Sequence, residues 1–331
     1  MTPTTIPHSS GTPWIVLCPG QGAQAVGMGK SWMESSPEAR DVFARADAQL
    51  GDRLGIRLTE LCLNGPAERL NRTDASQPAI YTSSMACWTA WLARQNLAPT
   101  DIAPGLVASA GLSLGEYTAL AIAGAFSFED GLELVTLRGQ AMQDAADSPA
   151  ARAGGGGSML ALIGATDEQA ATVCEQGRGT DVLVCANFNA PGQVVLSGHK
   201  TACERAAKAA ETMGLRSTLL PVAGAFHSPL MAPAAQKLGE ALARTTIRTP
   251  RSPVIANVTA RAYGDGEQLT ADTIRRRLAE QLTSPVRWSQ SCQWLAANKQ
   301  GEFHELAPGK TLMGLMRRID KSVKVTTHDE P

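Results

Sequence analysis

The sequence predicts an α/β protein: a large unit interrupted by a smaller α+β insert, with three observations behind that reading. Short apolar runs end in glycine-rich turns at Pro19–Gly20 and Gly111–Gly115. Helical periodicity fills the stretches between and after them. From Ser158 to Val222 the pattern changes to strand, helix, strand, strand, helix, strand, the order of a ferredoxin-like motif. The chain has 331 residues, which at about 150 per domain suggests two compact units.

Residues 1–13 are rich in Pro, Thr and Ser and read as a flexible tail. Trp14 to Cys18 (WIVLC) is a buried strand feeding the first Gly-rich turn. Helical patterns follow over Pro37 to Leu50 and over Pro78 to Gln95, and Leu106 to Ala110 is a second short strand. This strand runs into GLSLGEYTALAIAGA, a turn and then a helix of small residues able to pack closely on a sheet. Ser127 and Asp130 form a capping box for a helix over Asp130 to Ala146. Four glycines, 154–157, break the pattern. The insert then reads as strand Ser158 to Ile163, helix Asp167 to Gln176, strand Val182 to Ala186 and a turn at Asn189 to Gly192. Strand Gln193 to Ser197, helix Thr201 to Met213 and strand Arg216 to Val222 complete it. The large unit thus spans 14–153 and 223–320, the insert 154–222, and residues 321–331 a C-terminal tail.

Composition excludes several classes. Hydrophobic residues are 44% and charged residues 18%, ordinary globular values that leave no room for wholesale disorder, collagen or coiled coil. Thirty basic against 31 acidic side chains give a net charge of -1, which removes the electrostatic case for nucleic acid as a partner. The seven cysteines are scattered and never spaced CxxC, so neither a disulfide framework nor a zinc site is expected. The most apolar stretch, Thr118 to Phe128, is too short to span a bilayer, and the N-terminus has no signal-peptide pattern. The expectation is a cytoplasmic protein that needs no membrane and no metal.

The leading chemical feature is Gly111-Leu112-Ser113-Leu114-Gly115, a GxSxG pattern between a strand and a helix. A tight turn there lifts the serine hydroxyl off the sheet, and the helix N-terminus offers N–H groups and positive dipole to an oxyanion. With 21 serines and 31 glycines in 331 residues, chance supplies about 0.2 such patterns. The pattern alone therefore does not separate a nucleophile from a Gly-rich helix entry with a capping Ser.

A serine nucleophile needs a base. Of the five histidines, His8 and His328 lie in the expected tails, His199 in the insert and His304 near a strand. His227, in Gly224-Ala225-Phe226-His227-Ser228-Pro229, stands where the chain re-enters the large unit. It is the best-placed base, with a purely structural histidine as the alternative.

On the helix from Asp130, Leu134, Val135, Arg138, Ala141 and Met142 share one face, so a guanidinium sits in an apolar stripe. A buried cation requires either an internal carboxylate or an anionic ligand. Two further glycine motifs lead elsewhere. Gly20-Gln21-Gly22-Ala23-Gln24-Ala25 fits a dinucleotide fingerprint, yet residues 41–58 lack the strand that would carry the ribose-binding acid; presenting N–H groups to a neighbouring nucleophile is the better use. Gly309-Lys310-Thr311 ends like a P-loop, but His304 stands where its first glycine belongs.

Six blocks stand together in order: Pro19-Gly20-Gln21-Gly22-Ala23-Gln24, Gly111-Leu112-Ser113-Leu114-Gly115-Glu116, Leu137-Arg138-Gly139-Gln140-Ala141-Met142-Gln143, Asn187-Phe188-Asn189, Gly224-Ala225-Phe226-His227-Ser228 and Pro308-Gly309-Lys310-Thr311-Leu312. This set resembles the malonyl-CoA:acyl carrier protein transacylase family, the malonyl loaders of fatty acid synthesis, over nearly everything from Ile15 to Ile319. The resemblance implies an α/β-hydrolase-like large domain with a ferredoxin-like insert. It implies Ser113 as the acylated nucleophile, His227 as general base and acid, and Arg138 as the group that binds the malonyl carboxylate. Backbone N–H groups of Gln21 and Leu114 would form the oxyanion hole, Asn187 and Asn189 would line the cleft, and the Gln281 main-chain carbonyl would orient His227. Phe226 resembles malonyl-selective members, whose methylmalonyl-selective relatives commonly carry Ser there. Two departures stand out: Leu112 replaces a frequent His, and Cys18 and Ala23 replace frequent Phe and Ser.

The function so implied is ping-pong transfer of malonyl from malonyl-CoA to the phosphopantetheine thiol of a holo acyl carrier protein, in fatty acid or polyketide biosynthesis, with no cofactor. Basic residues Arg275 to Arg277, and Arg317, Arg318, Lys321 and Lys324, are candidate docking points for an acidic carrier, with solvated helix faces as the alternative. Two other functions use the same residues. A serine thioesterase or esterase would pass the acyl group to water, and a noncatalytic carrier-binding subunit would keep the motifs as relics.

Overall fold

The computed structural model describes residues 13–98, 105–153 and 155–331. The expected tail over residues 1–12 and the first residue of the glycine run, Gly154, lie outside the described residues. Two sheets organise the rest. The larger contains β1 (Trp14–Cys18), β2 (Leu106–Gly111), β7 (Val254–Ala256), β8 (Arg261–Ala262), β9 (Glu302–Leu306) and β10 (Val325–His328) in the order β10-β9-β1-β2-β7-β8. All its pairings are parallel except β7 with β8.

The WIVLC run shows why β1 lies in the middle of that sheet. Parallel strands are covered on both faces and therefore read as continuous apolar runs. Val16 and Cys18 enter the core on one face, and Ile15 and Leu17 the core on the other, all fully buried. The Gly115–Ile122 helix, short and made mainly of small residues, packs directly against β1 and β2. Both strands end at the same edge, so the turns after Cys18 and Gly111 meet where ligands usually bind in such sheets.

The smaller sheet is formed by β3 (Gly157–Ile163), β4 (Leu183–Ala190), β5 (Gln193–His199) and β6 (Arg216–Leu219), antiparallel in the order β4-β5-β3-β6. The Asp167–Arg178 and Lys200–Thr212 helices share its separate apolar core around Leu160, Leu162, Val173, Val194 and Ala206. This sheet is tied to the larger unit through main chain: Phe188 N donates to Val286 O at 2.9 Å and Val286 N to Ala186 O at 2.8 Å. No helix among the described residues is long and apolar enough to cross a membrane.

Several boundaries differ from the sequence expectation. The helix read from Pro78 starts a turn earlier, at Thr73, and ends at Arg94; nearly all its side chains to Leu92 are buried, and that packing overrides the local cost of an internal proline. The helix read from Asp130 starts at Phe128, because Ser127 is the N-cap, accepting from Asp130 N at 3.0 Å, and Asp130 is its third residue. The turn read at Asn189 to Gly192 shrinks to Pro191–Gly192, since register shifts beside Cys185 and Phe188 carry β4 on to Ala190. The last insert strand stops at Leu219.

The largest correction is at the C-terminus. Residues 321–331, expected as a tail, supply β10, which pairs with β9 from Val325 to His328. His328 stacks with His304 and packs at a tilt against Trp91, and its carbonyl accepts from Trp32 Nε1 at 2.8 Å. Four residues with no long apolar run give little strand signal. Their aromatic partners Trp32 and Trp91, more than 200 residues away along the chain and adjacent only after folding, help to order them.

Candidate active site

The Ser113 turn is built by crowding. A Cβ on Gly111 would collide with the Gly115 carbonyl, and one on Gly115 would collide with the Cys18 carbonyl at the end of β1, so both flanking positions admit glycine alone. Ser113 adopts φ 52°, a left-handed conformation uncommon for a residue with a side chain. Asn257, directly after β7, holds this strained turn from beneath: its Oδ1 accepts from Ser113 N at 2.7 Å, and its Nδ2 donates to Gly111 O at 2.7 Å.

His227, also at positive φ (58°), meets the serine from the chain leaving the insert. Its Nε2 lies 2.8 Å from Ser113 Oγ and its Nδ1 lies 2.8 Å from the Gln281 carbonyl oxygen. A carbonyl only accepts, so Nδ1 carries the hydrogen and the neutral ring presents a bare Nε2 to the Ser113 hydroxyl. Burial, reinforced by the Arg138 charge, lowers the imidazole to about 4 against the Gln281 bond. The ring is therefore a neutral base at physiological pH.

Arg138 projects from the Phe128–Ala146 helix into the same space and is 1% exposed. Its Nη1 donates to Gln77 Oε1 at 2.7 Å, and its Nη2 donates to Ser113 Oγ at 3.1 Å and to Gln281 Oε1 at 3.0 Å. Nε has no partner, and the guanidinium lies 5.5 Å from the Tyr117 ring centroid. No carboxylate is ion-paired to it among the described residues. Of the two sequence alternatives for a buried cation, an internal carboxylate partner is not what the structure shows.

The nearest acid in this network is Glu116, fully buried one residue into the helix after the turn. It accepts from Gln281 Nε2 at 2.6 Å, from Asn257 N at 3.1 Å and from the Tyr263 hydroxyl. Burial pushes it up to about 7, against those hydrogen bonds and the Arg138 charge.

The backbone N–H groups of Gln21 and Leu114 donate to no protein group among the described residues. Leu114 precedes the first turn of the Gly115–Ile122 helix, and Gln21 lies in the glycine-rich turn after β1, its side chain donating to Thr73 Oγ1 at 3.3 Å. Asn187 and Asn189 sit on β4, where the main-chain ladder joins the Val286 segment that follows Gln281. Neither hydrogen-bonds to Ser113, His227 or Arg138, and the buried Asn189 Oδ1 has no partner. Phe226 is buried in the large core cluster beside His227.

The other histidines stand elsewhere: His304 and His328 in the tryptophan cluster, His199 accepting from Val182 N at 3.2 Å, and His8 outside the described residues. Arg275 pairs with Asp272, and Arg276 and Arg277 with Glu267. Arg318 donates to Gln193, Pro191 and Gly192, whereas Arg317, Lys321 and Lys324 are exposed.

Sequence reasoning missed Asn257, Gln77 and the side chain of Gln281. No local pattern marks them, because each is defined by a partner more than 60 residues distant that only folding supplies. Glu116 was visible in the motif but received no role.

A model of the acyl transferase domain family matches residues 15–327. The chain is 40% identical over 321 residues to a malonyl CoA-acyl carrier protein transacylase of Escherichia coli strain K12, with 97% of each covered. It is 38% identical over 317 residues to the one from Bacillus subtilis strain 168, covering 95% of this chain and 93% of that one. Among solved structures, a malonyl-CoA:acyl carrier protein transacylase from Xanthomonas oryzae pv. oryzae superposes with TM-score 0.86 at 39% identity, covering 98% of this chain and 96% of that one. A malonyl-transacylase solved in complex with its type II polyketide acyl-carrier protein gives 0.86 at 34% identity, covering 97% of each.

Proposed function

The chain belongs to the acyl transferase domain family, and from that premise we propose that it moves malonyl from malonyl-CoA to the phosphopantetheine thiol of an acyl carrier protein through a malonyl ester on Ser113. The observation that carries this is Arg138: a buried guanidinium without a carboxylate partner, 3.1 Å from the nucleophile oxygen. A dry cation of that kind selects an acyl group that brings its own carboxylate.

In the first half-reaction His227 Nε2 takes the Ser113 proton as Oγ attacks the thioester carbonyl carbon. The Gln21 and Leu114 N–H groups receive the oxyanion. Collapse breaks the carbon–sulfur bond, and the CoA sulfur leaves with the proton from His227. In the second half the carrier thiol gives its proton to His227 and attacks the ester carbonyl; the carbon–oxygen bond breaks and Ser113 recovers its proton. Arg138 holds the malonyl carboxylate throughout, while Asn187, Asn189 and Phe226 line the cleft. No cofactor takes part.

The same reading treats residues 14–153 and 223–320, extended by β10, as an α/β-hydrolase-like domain and 154–222 as a ferredoxin-like insert. The mostly parallel six-stranded sheet and the β4-β5-β3-β6 order support it. Seven free cysteines fit a reducing cytoplasm. Exposed Arg317, Lys321 and Lys324 are the docking cations left for an acidic carrier.

Intact-protein mass spectrometry tests this. Malonyl-CoA should add one malonyl mass, holo carrier protein should remove it, and Ser113→Ala should never gain it. Loss of the label to water as fast without carrier as with it would point to a thioesterase instead, and no label on the folded wild type would reject the Ser113 ester.

A further inference from the structure

Gln281 does two separable things. Its main-chain carbonyl accepts from His227, which depends on the backbone alone. Its side-chain amide lies between Arg138 and Glu116: Oε1 accepts from Arg138 Nη2 at 3.0 Å, while Nε2 donates to Glu116 Oε2 at 2.6 Å and to the Ser113 carbonyl at 3.0 Å.

A primary amide can be seated two ways, and turning this one over would set its NH2 donors against the guanidinium donors. Ionised Glu116 and the Ser113 carbonyl only accept, so together they draw the NH2 group toward themselves and leave the oxygen facing Arg138, with Glu116 the shorter contact. Glu116 is itself fixed by Asn257 N and the Tyr263 hydroxyl. From this arrangement we infer that Glu116 is a positioning residue for acyl selection: through the Gln281 amide it aims Arg138 at the malonyl carboxylate, and it makes no hydrogen bond to the side chain of Ser113 or His227.

The inference rests on the malonyl-transfer reading and makes a claim that a merely structural acid would not meet. Removing the charge should harm the donor that uses Arg138 and spare the donor that does not. The test is Glu116→Gln, close to isosteric, assayed at pH 8, above the value of about 7 to which burial lifts Glu116. A glutamine at 116 has no charge and can turn its own NH2 toward Gln281, so the Gln281 amide loses an obligate acceptor on that side and is held by Arg138 and the Ser113 carbonyl. The KM for malonyl-CoA should rise about tenfold or more, with kcat/KM for acetyl-CoA within about twofold of wild type. Combined with Arg138→Ala, the substitution should lower malonyl transfer no further than Arg138→Ala alone. Glu116→Leu, checked by circular dichroism, should repeat the split and serves if the first variant does not fold.

Equal losses for both donors, an unchanged malonyl KM, or a further tenfold loss in the double variant would each overturn the role of Glu116. A folded wild type that takes up no malonyl would instead bring down the reading beneath it, so the two failures are distinguishable.

Discussion

Arg138 and His227 share one pocket and illustrate opposite uses of burial. For Arg138, burial without a directly paired carboxylate leaves a strong preference for an anion, so Arg138→Ala should lower kcat/KM for malonyl-CoA by about 100-fold or more while acetyl-CoA changes by less than about fivefold. Steady-state kinetics with the two donors decides it, and equal losses would remove the carboxylate-binding role. For His227, burial disfavours the cation and keeps the ring a base. Its value of about 4 places the protonated form below the working range, so the first turnover should be flat from pH 8 to about 5 and fall only below that. Acetyl-CoA is the donor for this measurement, because it has no carboxylate to involve Arg138 or its Glu116 support. An inflection near 6.5 would show a solvated imidazole in place of the buried one.

Among the elements, β10 was the least visible beforehand and has the clearest structural job. It covers the edge of β9, packs His328 against Trp91 and His304, and accepts from Trp32 Nε1. Asp329, just beyond it, accepts from Gly309 N at 2.6 Å, holding the Pro308–Gly309 loop that resembled a P-loop end. Aromatic pairs contribute about 0.5–1.5 kcal/mol each and a hydrogen bond about 1 kcal/mol. Deleting residues 325–331 should therefore cost about 2–4 kcal/mol, read as a lower urea midpoint and a red shift of tryptophan emission. An unchanged midpoint would mean that the segment is only an appendage.

The two larger hydrophobic cores take in Met159, Ala161, Ala186, Val195 and Ala190 of the insert, which keeps a third core of its own, and main-chain bonds at Val286 and the Arg318 contacts to the β4–β5 turn add to that join. Ser113 lies before the insert and His227 just after it, so their 2.8 Å contact joins the two segments of the large unit. All six tryptophans, at 14, 32, 88, 91, 288 and 294, lie outside residues 154–222. Tryptophan emission thus reports on the large unit, and far-ultraviolet circular dichroism on both. The two thermal curves should coincide; an earlier circular dichroism transition would show the insert melting alone.

Legible along the chain alone were the buried strand at Trp14–Cys18, the glycine turns, the insert's element order and the residue types at positions 113, 138 and 227. Each of these is encoded locally, by an apolar run, a periodicity or a motif whose spacing has steric meaning. Only folding reveals that no carboxylate is bonded directly to Arg138, that Asn257 braces the Ser113 turn, that Gln281 uses its amide as well as its carbonyl, and that the last residues form a strand. These depend on contacts between segments tens to hundreds of residues apart, and a hydrogen bond acts over about 3 Å of space whatever the separation along the chain.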